Sequence, residues 1–100
     1  MNNKELNEKL NNISRWSSYA IGHLDDEYGY NDEVALSTLE NAINELCNLD
    51  EINVYINLVE VNNWKEFIVE IKNSNDTKNS LTKAVAYAIK SIAESFIEID

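Results

Sequence analysis

The chain contains no proline and only two glycines in 100 residues, so few positions can interrupt a helix. Apolar residues recur at three- and four-residue steps along most of its length, which is the period of an amphipathic α-helix. We therefore expect a single acidic helical domain over residues 1–100, all-α, built as a compact antiparallel bundle of four to five helices.

Three helices are the most clearly marked. The first is predicted to begin at Asn2 and to run for about twenty residues. The second should begin near Asn31 and Asp32, whose side chains suit an N-cap, and the last after Ser80 for the same reason. Their apolar stripes, and the aromatic residues beside core positions, are expected to be buried: Leu6, Leu10, Ile13, Ser17, Ala20 and Leu24; Leu36, Leu39, Ala42, Ile43 and Leu46; Leu81, Val85, Ala88, Ile89, Ile92, Phe96 and Ile99; Trp16, Tyr19 and Trp64.

The segment 52–72 supports two interpretations. Its β-branched residues alternate in part, and Asn62 with Asn63 could form a turn, so a hairpin at about 52–72 in an α+β fold is the alternative. Its polar residues recur every three or four positions, which indicates a solvent-facing stripe on helices. We expect two short helices, about 51–61 and 64–73, with Asn63 and Glu66 capping the second.

The acidic charge is concentrated in the middle of the chain. The formal net charge is −10, and ten acidic residues with no lysine or arginine lie between Arg15 and Lys65. Nucleic acids and anionic membranes are bound by clustered basic residues, so direct binding to either is not expected. The expected partner is a basic protein, such as a nuclease or a nucleoprotein complex.

The inventory of side chains excludes the common catalytic and metal-binding arrangements. With one histidine, His23, and one cysteine, Cys47, the chain offers no His/Cys zinc site, and its glycines cannot form a phosphate-binding loop. We expect no enzymatic activity, no catalytic residues, no metal and no cofactor. His23 is expected to be half-exposed at the end of the first helix, and Cys47 to be a buried, unreactive thiol.

The candidate contact residues are the acids of the middle segment together with two tyrosines that flank Gly29. Carboxylates would pair with Arg and Lys of a partner, and tyrosines in a turn are typical anchors of an interface. The charge pattern predicts an inhibitory binding protein that occupies a basic, nucleic-acid-handling surface, by analogy with phage counter-defence proteins such as anti-CRISPR proteins and with immunity or antitoxin proteins. The predicted contacts are Asp25, Asp26, Glu27, Tyr28, Tyr30, Asp32, Glu33, Glu40 and Glu45.

A structural or adaptor role is the alternative function. In that case an apolar surface, such as a homodimer interface, would be the functional site, and the acidic residues would only make the protein soluble. More apolar residues surround the segment 52–71 than one face of a bundle requires. The predicted interface consists of Val54, Tyr55, Leu58, Val61, Trp64 and Phe67.

The hydropathy of the chain bears on its location. The longest uninterrupted apolar run, Ala84 to Ile89, is far shorter than the roughly 20 residues of a membrane span. The N-terminal residues are polar and unlike a signal peptide. We expect the protein in the cytoplasm of a bacterium or of a phage-infected host cell.

Overall fold

The computed structural model describes residues 3–24, 32–53, 55–74 and 80–97, and every regular element in these ranges is a helix. In chain order the helices are α1 (Asn3–Leu24), α2 (Asp32–Cys47), α3 (Asp50–Asn53), α4 (Leu58–Ser74) and α5 (Ser80–Ser95). The predicted all-α antiparallel bundle is confirmed. The hairpin alternative is wrong, because α3 and α4 occupy that segment.

Helix α2 is the central element of the bundle. It packs against α1 and α4 and, less extensively, against α5, while α1 also packs against α5. Its predicted apolar stripe is confirmed, since every member is at most 1% exposed: Leu36, Leu39, Ala42, Ile43 and Leu46. Burial of this stripe from several sides makes α2 the largest single contributor to the hydrophobic core.

A serine occupies one core position of α1. Ser17 is fully buried, and its hydroxyl donates a hydrogen bond to the backbone carbonyl of Ile13 at 2.9 Å. This bond within one helix satisfies the hydroxyl, so the polar side chain can be buried at small cost. Ser17 therefore continues the apolar stripe of α1, as predicted.

The junction between α3 and α4 differs from the predicted one. The chain runs helically through Asn62 and Asn63, where the break was expected, and the break lies instead between Asn53 and Leu58. Asn57 caps the start of α4, because its side-chain Oδ1 accepts a hydrogen bond from the backbone N–H of Glu60 at 3.1 Å. The predicted boundaries 51–61 and 64–73 are therefore wrong.

The buried face of α5 is rotated relative to the predicted stripe. Val85 and Ile89 are buried as expected, but Leu81 is 58% exposed. The side chains that replace it in the core are Thr82, Ala86 and Ala93. This rotation points α5 toward α1 and leaves its other apolar side, including Leu81, facing α4 across a gap.

Candidate partner-binding surfaces

The acidic residues of α2 lie on its outer side. Glu33 and Glu45 are exposed, and Glu40 is half-buried. Glu33 and Glu40 are two helical turns apart on one stripe, about 10 Å along the axis, whereas Glu45 lies roughly 140° further around the helix. Together with the exposed Asp50 and Glu51, they make a broad negatively charged surface rather than a single line; we call Glu33, Glu40 and Glu45 the α2 acidic face.

One counter-charge reaches this face from a distant part of the sequence. The ammonium Nζ of Lys72, on α4, lies 3.0 Å from Oε2 of Glu40. Within the described part of the chain, Glu33 and Glu45 have no ion-pair partner. The sequence-based view of an acidic surface without any local basic residue is therefore wrong at Glu40 and holds at the other two positions.

Most of the acidic turn between α1 and α2 cannot be compared with the structure. Five of the predicted contact residues lie outside the described residues, and of Asp32 only the backbone, at the start of α2, is described. Their predicted role stays a prediction. The five are Asp25, Asp26, Glu27, Tyr28 and Tyr30.

The described members of the predicted apolar interface lie in different places and do not form one surface. Tyr55 is 73% exposed, and its ring centroid lies 6.2 Å from that of Phe96 beyond the end of α5. Leu58 is half-buried at the start of α4, and Val54 lies outside the described residues. The prediction is wrong for Val61, which is 1% exposed, belongs to the core and cannot touch a partner.

The remaining two members, Trp64 and Phe67, line a groove between α4 and α5. Both are half-buried and pack against the core from its edge. The α5 side of the groove consists of Leu81, Val85 and Ala88, which were predicted to lie in the core stripe, and of Ala84, which was not. The signal that could have indicated this groove is the pair of small residues Ala84 and Ala88, which are one helical turn apart.

His23 is buried rather than half-exposed, contrary to expectation. It is 7% exposed near the end of α1, and its ring meets that of Tyr19 edge-on with centroids 4.5 Å apart. Tyr19, expected in the core, is 46% exposed and covers the histidine from outside. This arrangement is a packing contact that closes one end of α1.

Cys47, the last residue of α2, is the single thiol of the chain. Burial raises its pKa above the ordinary value, and the positive charge of Lys65 on α4 lowers it in part. A raised pKa leaves less of the reactive thiolate at neutral pH. Cys47 is half-buried rather than buried as predicted, and its raised pKa fits the predicted low reactivity of the thiol.

The charge of Lys65 should control the reactivity of this thiol. We expect Cys47 to react with an aromatic disulfide reagent more slowly than free cysteine at pH 7, with the rate rising as the pH approaches the raised pKa. Lys65→Gln should slow the reaction further, because it removes the charge that favours thiolate. Lys4→Gln, at an exposed site on α1, is the control and should leave the rate unchanged. A faster reaction in Lys65→Gln would contradict the assignment.

The described residues also bear on metal binding and on membrane insertion. The described ranges contain no group of three or more His, Cys, Asp or Glu side chains placed to hold a metal ion. No helix in these ranges is both long enough and apolar enough to cross a lipid bilayer. Compared with protein-family models, with curated proteins and with solved structures, the chain matches none.

Proposed function

We propose that this protein is a non-enzymatic inhibitor whose acidic surface occupies a basic, nucleic-acid-handling surface of another protein. The observation that carries the proposal is the excess of acidic side chains on α2 and α3. Residues 32–53 hold six acidic residues and no lysine or arginine. Glu33 and Glu45 are exposed there with no ion-pair partner among the described residues.

Such a surface is costly unless a partner of opposite charge meets it. Surface helices gain stability when opposite charges alternate at three- and four-residue spacing, and α2 forgoes this gain. Like charges that stay exposed repel one another, while a basic partner would be attracted over about one Debye length and bound by charge-assisted hydrogen bonds. The repulsion among the exposed carboxylates and their attraction to a basic partner together favour a binding surface over one that only makes the protein soluble.

The partner class follows from the spacing of the carboxylates. Glu33 and Glu40 are about 10 Å apart along α2, about three times the 3.4 Å axial rise per phosphate of one strand, so they could imitate phosphates that are not neighbours. A protein surface that binds phosphates presents Lys and Arg at matching intervals, and carboxylates can pair with both. Nucleases and nucleoprotein complexes carry such surfaces, so counter-defence and immunity proteins are the biological settings that the proposal fits, in the cytoplasm where their targets act.

The test is a comparison of two charge-reversed variants. The double variant Glu33→Lys/Glu45→Lys removes the two carboxylates of α2 that have no ion-pair partner among the described residues, and it keeps the Glu40–Lys72 pair. The double variant Glu8→Lys/Glu66→Lys changes the net charge by the same amount at exposed sites on α1 and α4. Each immobilised protein is exposed to lysate of the source cell at about 0.1 M and about 1 M salt, where the Debye length falls from about 10 Å to 3 Å.

Wild type and the α1/α4 variant should retain a basic nucleic-acid-binding protein at low salt and lose it at high salt. The α2 variant should not retain it. Added duplex DNA should compete with wild type for the captured protein, because both would occupy one surface. Retention that is indifferent to salt, or equal for the two charge-reversed variants, would refute the proposal.

A further inference from the structure

The bundle is open along one edge. Among the described helices, α1 packs against α2 and α5, and α2 packs against α4, but α4 and α5 make no contact of similar extent with each other. Three of the four edges of the bundle are therefore closed by side chains, and the edge between α4 and α5 is not. A further helix laid along that edge would complete the packing that the other edges already have.

The open edge is an apolar groove of about 340 Å³, lined by Trp64 and Phe67 from α4 and by Leu81, Ala84, Val85 and Ala88 from α5. The aromatic side chains form one wall. Ala84 and Ala88 give the groove its depth, since their methyl groups leave room at the surface of α5. Leu81, 58% exposed, stands at its mouth. Apolar side chains of a partner could fill this space, and a groove of this form is typical of helix recognition.

Among the described residues, the groove side of α4 carries acidic and no basic side chains. Glu60 is exposed one turn before Trp64 on the groove side of α4, whereas Glu70, exposed one turn after Phe67, lies toward the outer side, where it borders a second hollow with Lys65 and Glu66. The lysines of α4 face the other way: Lys72 pairs with Glu40 on α2, and the charge of Lys65 acts on Cys47 at the end of α2. The α4 side of the groove is therefore negative.

The lysines of α5 are also turned away from the groove. Glu94 accepts a hydrogen bond from the hydroxyl of Ser14 at 2.9 Å, so its stripe of α5 adjoins α1. Lys90 and Lys83 precede Glu94 by four and eleven residues and lie on that same stripe. The described residues around the groove thus combine an apolar floor with an acidic rim.

We propose that this groove binds an amphipathic helix of another protein, one whose apolar face fills the groove and whose flanks carry lysine or arginine. A second copy of this chain is disfavoured as the occupant, since two molecules that each carry a net charge of −10 repel each other. The groove lies on α4 and α5, away from the α2 acidic face, and adds a second binding surface beyond the function proposed above.

The direct test uses a synthetic peptide of about 16 residues, long enough for about four helical turns. Its leucines stand at i, i+3, i+4 and i+7 spacing and its other positions are lysine. One companion peptide has glutamate in place of lysine; a second keeps the lysines and has glutamine in place of leucine. Binding to the full chain is measured by fluorescence anisotropy of the labelled peptides.

The matched variants are Leu81→Gln, inside the groove, and Val59→Gln, which is 72% exposed outside it. Loss of one buried leucine contact should weaken binding of the leucine–lysine peptide at least about tenfold in Leu81→Gln. Val59→Gln should bind as wild type does. Ala84→Gln, at an exposed position of the same groove, provides a second test, and circular dichroism verifies that each variant is helical.

Several outcomes would overturn the proposal. Among them are no binding of the leucine–lysine peptide, equal binding of either companion peptide, and equal affinity of the groove variants and Val59→Gln. A sedimentation mass of two copies that falls to one in Leu81→Gln would assign the groove to a homodimer instead. The variant Glu33→Lys/Glu45→Lys should still bind the peptide through the groove, so the two proposals can fail separately.

Discussion

Replacing Leu39 with alanine should lower the free energy of unfolding by about 2–5 kcal/mol. Leu39 is fully buried in the middle of α2, the helix that α1, α4 and α5 all contact. The truncated side chain loses its transfer free energy and leaves a cavity that the surrounding helices can close only in part. Because domains of this size are stable by about 5–15 kcal/mol, the expected loss is a large share of the total.

The measurement is urea unfolding followed by circular dichroism, with the midpoint expected to fall and the slope to stay constant. Leu81→Ala is the matched control, since it makes the same chemical change at a side chain that is 58% exposed. Its effect should be much smaller. Equal losses in the two variants would contradict the placement of Leu39 at the centre of the core and of Leu81 at the edge of the groove.

Replacing Thr82 with valine should raise the free energy of unfolding by about 1–2 kcal/mol. Thr82 is fully buried on α5, and its hydroxyl oxygen has no hydrogen-bond partner among the described residues. Valine has nearly the same shape and a similar helix propensity, and it does not carry the desolvated hydroxyl. Removal of that group should therefore stabilise the folded state.

Ser17→Ala is the matched control for this second variant. Its buried hydroxyl does have a partner, the carbonyl of Ile13 at 2.9 Å, so its removal should bring no gain in stability. Both variants can be compared with wild type in the same urea titration. A loss of stability in Thr82→Val would show that the threonine hydroxyl is satisfied in the folded protein.

Helical periodicity predicted the fold class and the interior of α2, because a helix surrounded by others must bury a regular stripe. It was less successful for α5, whose apolar residues cover more than one face. The sequence cannot say which part of a wide apolar face will be covered, since that depends on where the neighbouring helices lie. Here α5 packs chiefly on α1, Ala86 and Ala93 are buried, and Leu81 stays at the surface.

The helix boundary before α4 was mispredicted for a related reason. Asparagines at positions 53, 57, 62 and 63 are all acceptable N-caps, and their local chemistry is the same. The choice of Asn57 follows from packing, because a helix that starts at Leu58 carries Val61, Ile68 and Ile71 into the core together. Competing caps of equal quality are resolved only by tertiary contacts.

For the α2 acidic face, the order of charges along the sequence indicates which residues are exposed but not which of them are paired. Counting charges correctly identified α2 as a helix without basic residues, and Glu33 and Glu45 are exposed as that pattern indicates. It could not foresee the pairing of Glu40, because Lys72 is 32 residues away and is brought close only by the packing of α4 on α2. The predicted burial of Trp16 and Tyr19 is also wrong. Both lie beside the stripe of α1, yet they are 36% and 46% exposed.

The contact between α1 and α5 has a consequence for how the chain folds as it is made. α1 and α5, the first and last of the described helices, lie side by side, so part of the apolar stripe of α1 has no cover until α5 has left the ribosome. Contacts between elements so far apart in sequence also slow folding relative to a bundle of sequential neighbours. The stripe of α1 therefore stays partly uncovered until α5 has been made, and the α1–α5 contact is the last long-range packing that the described helices can complete.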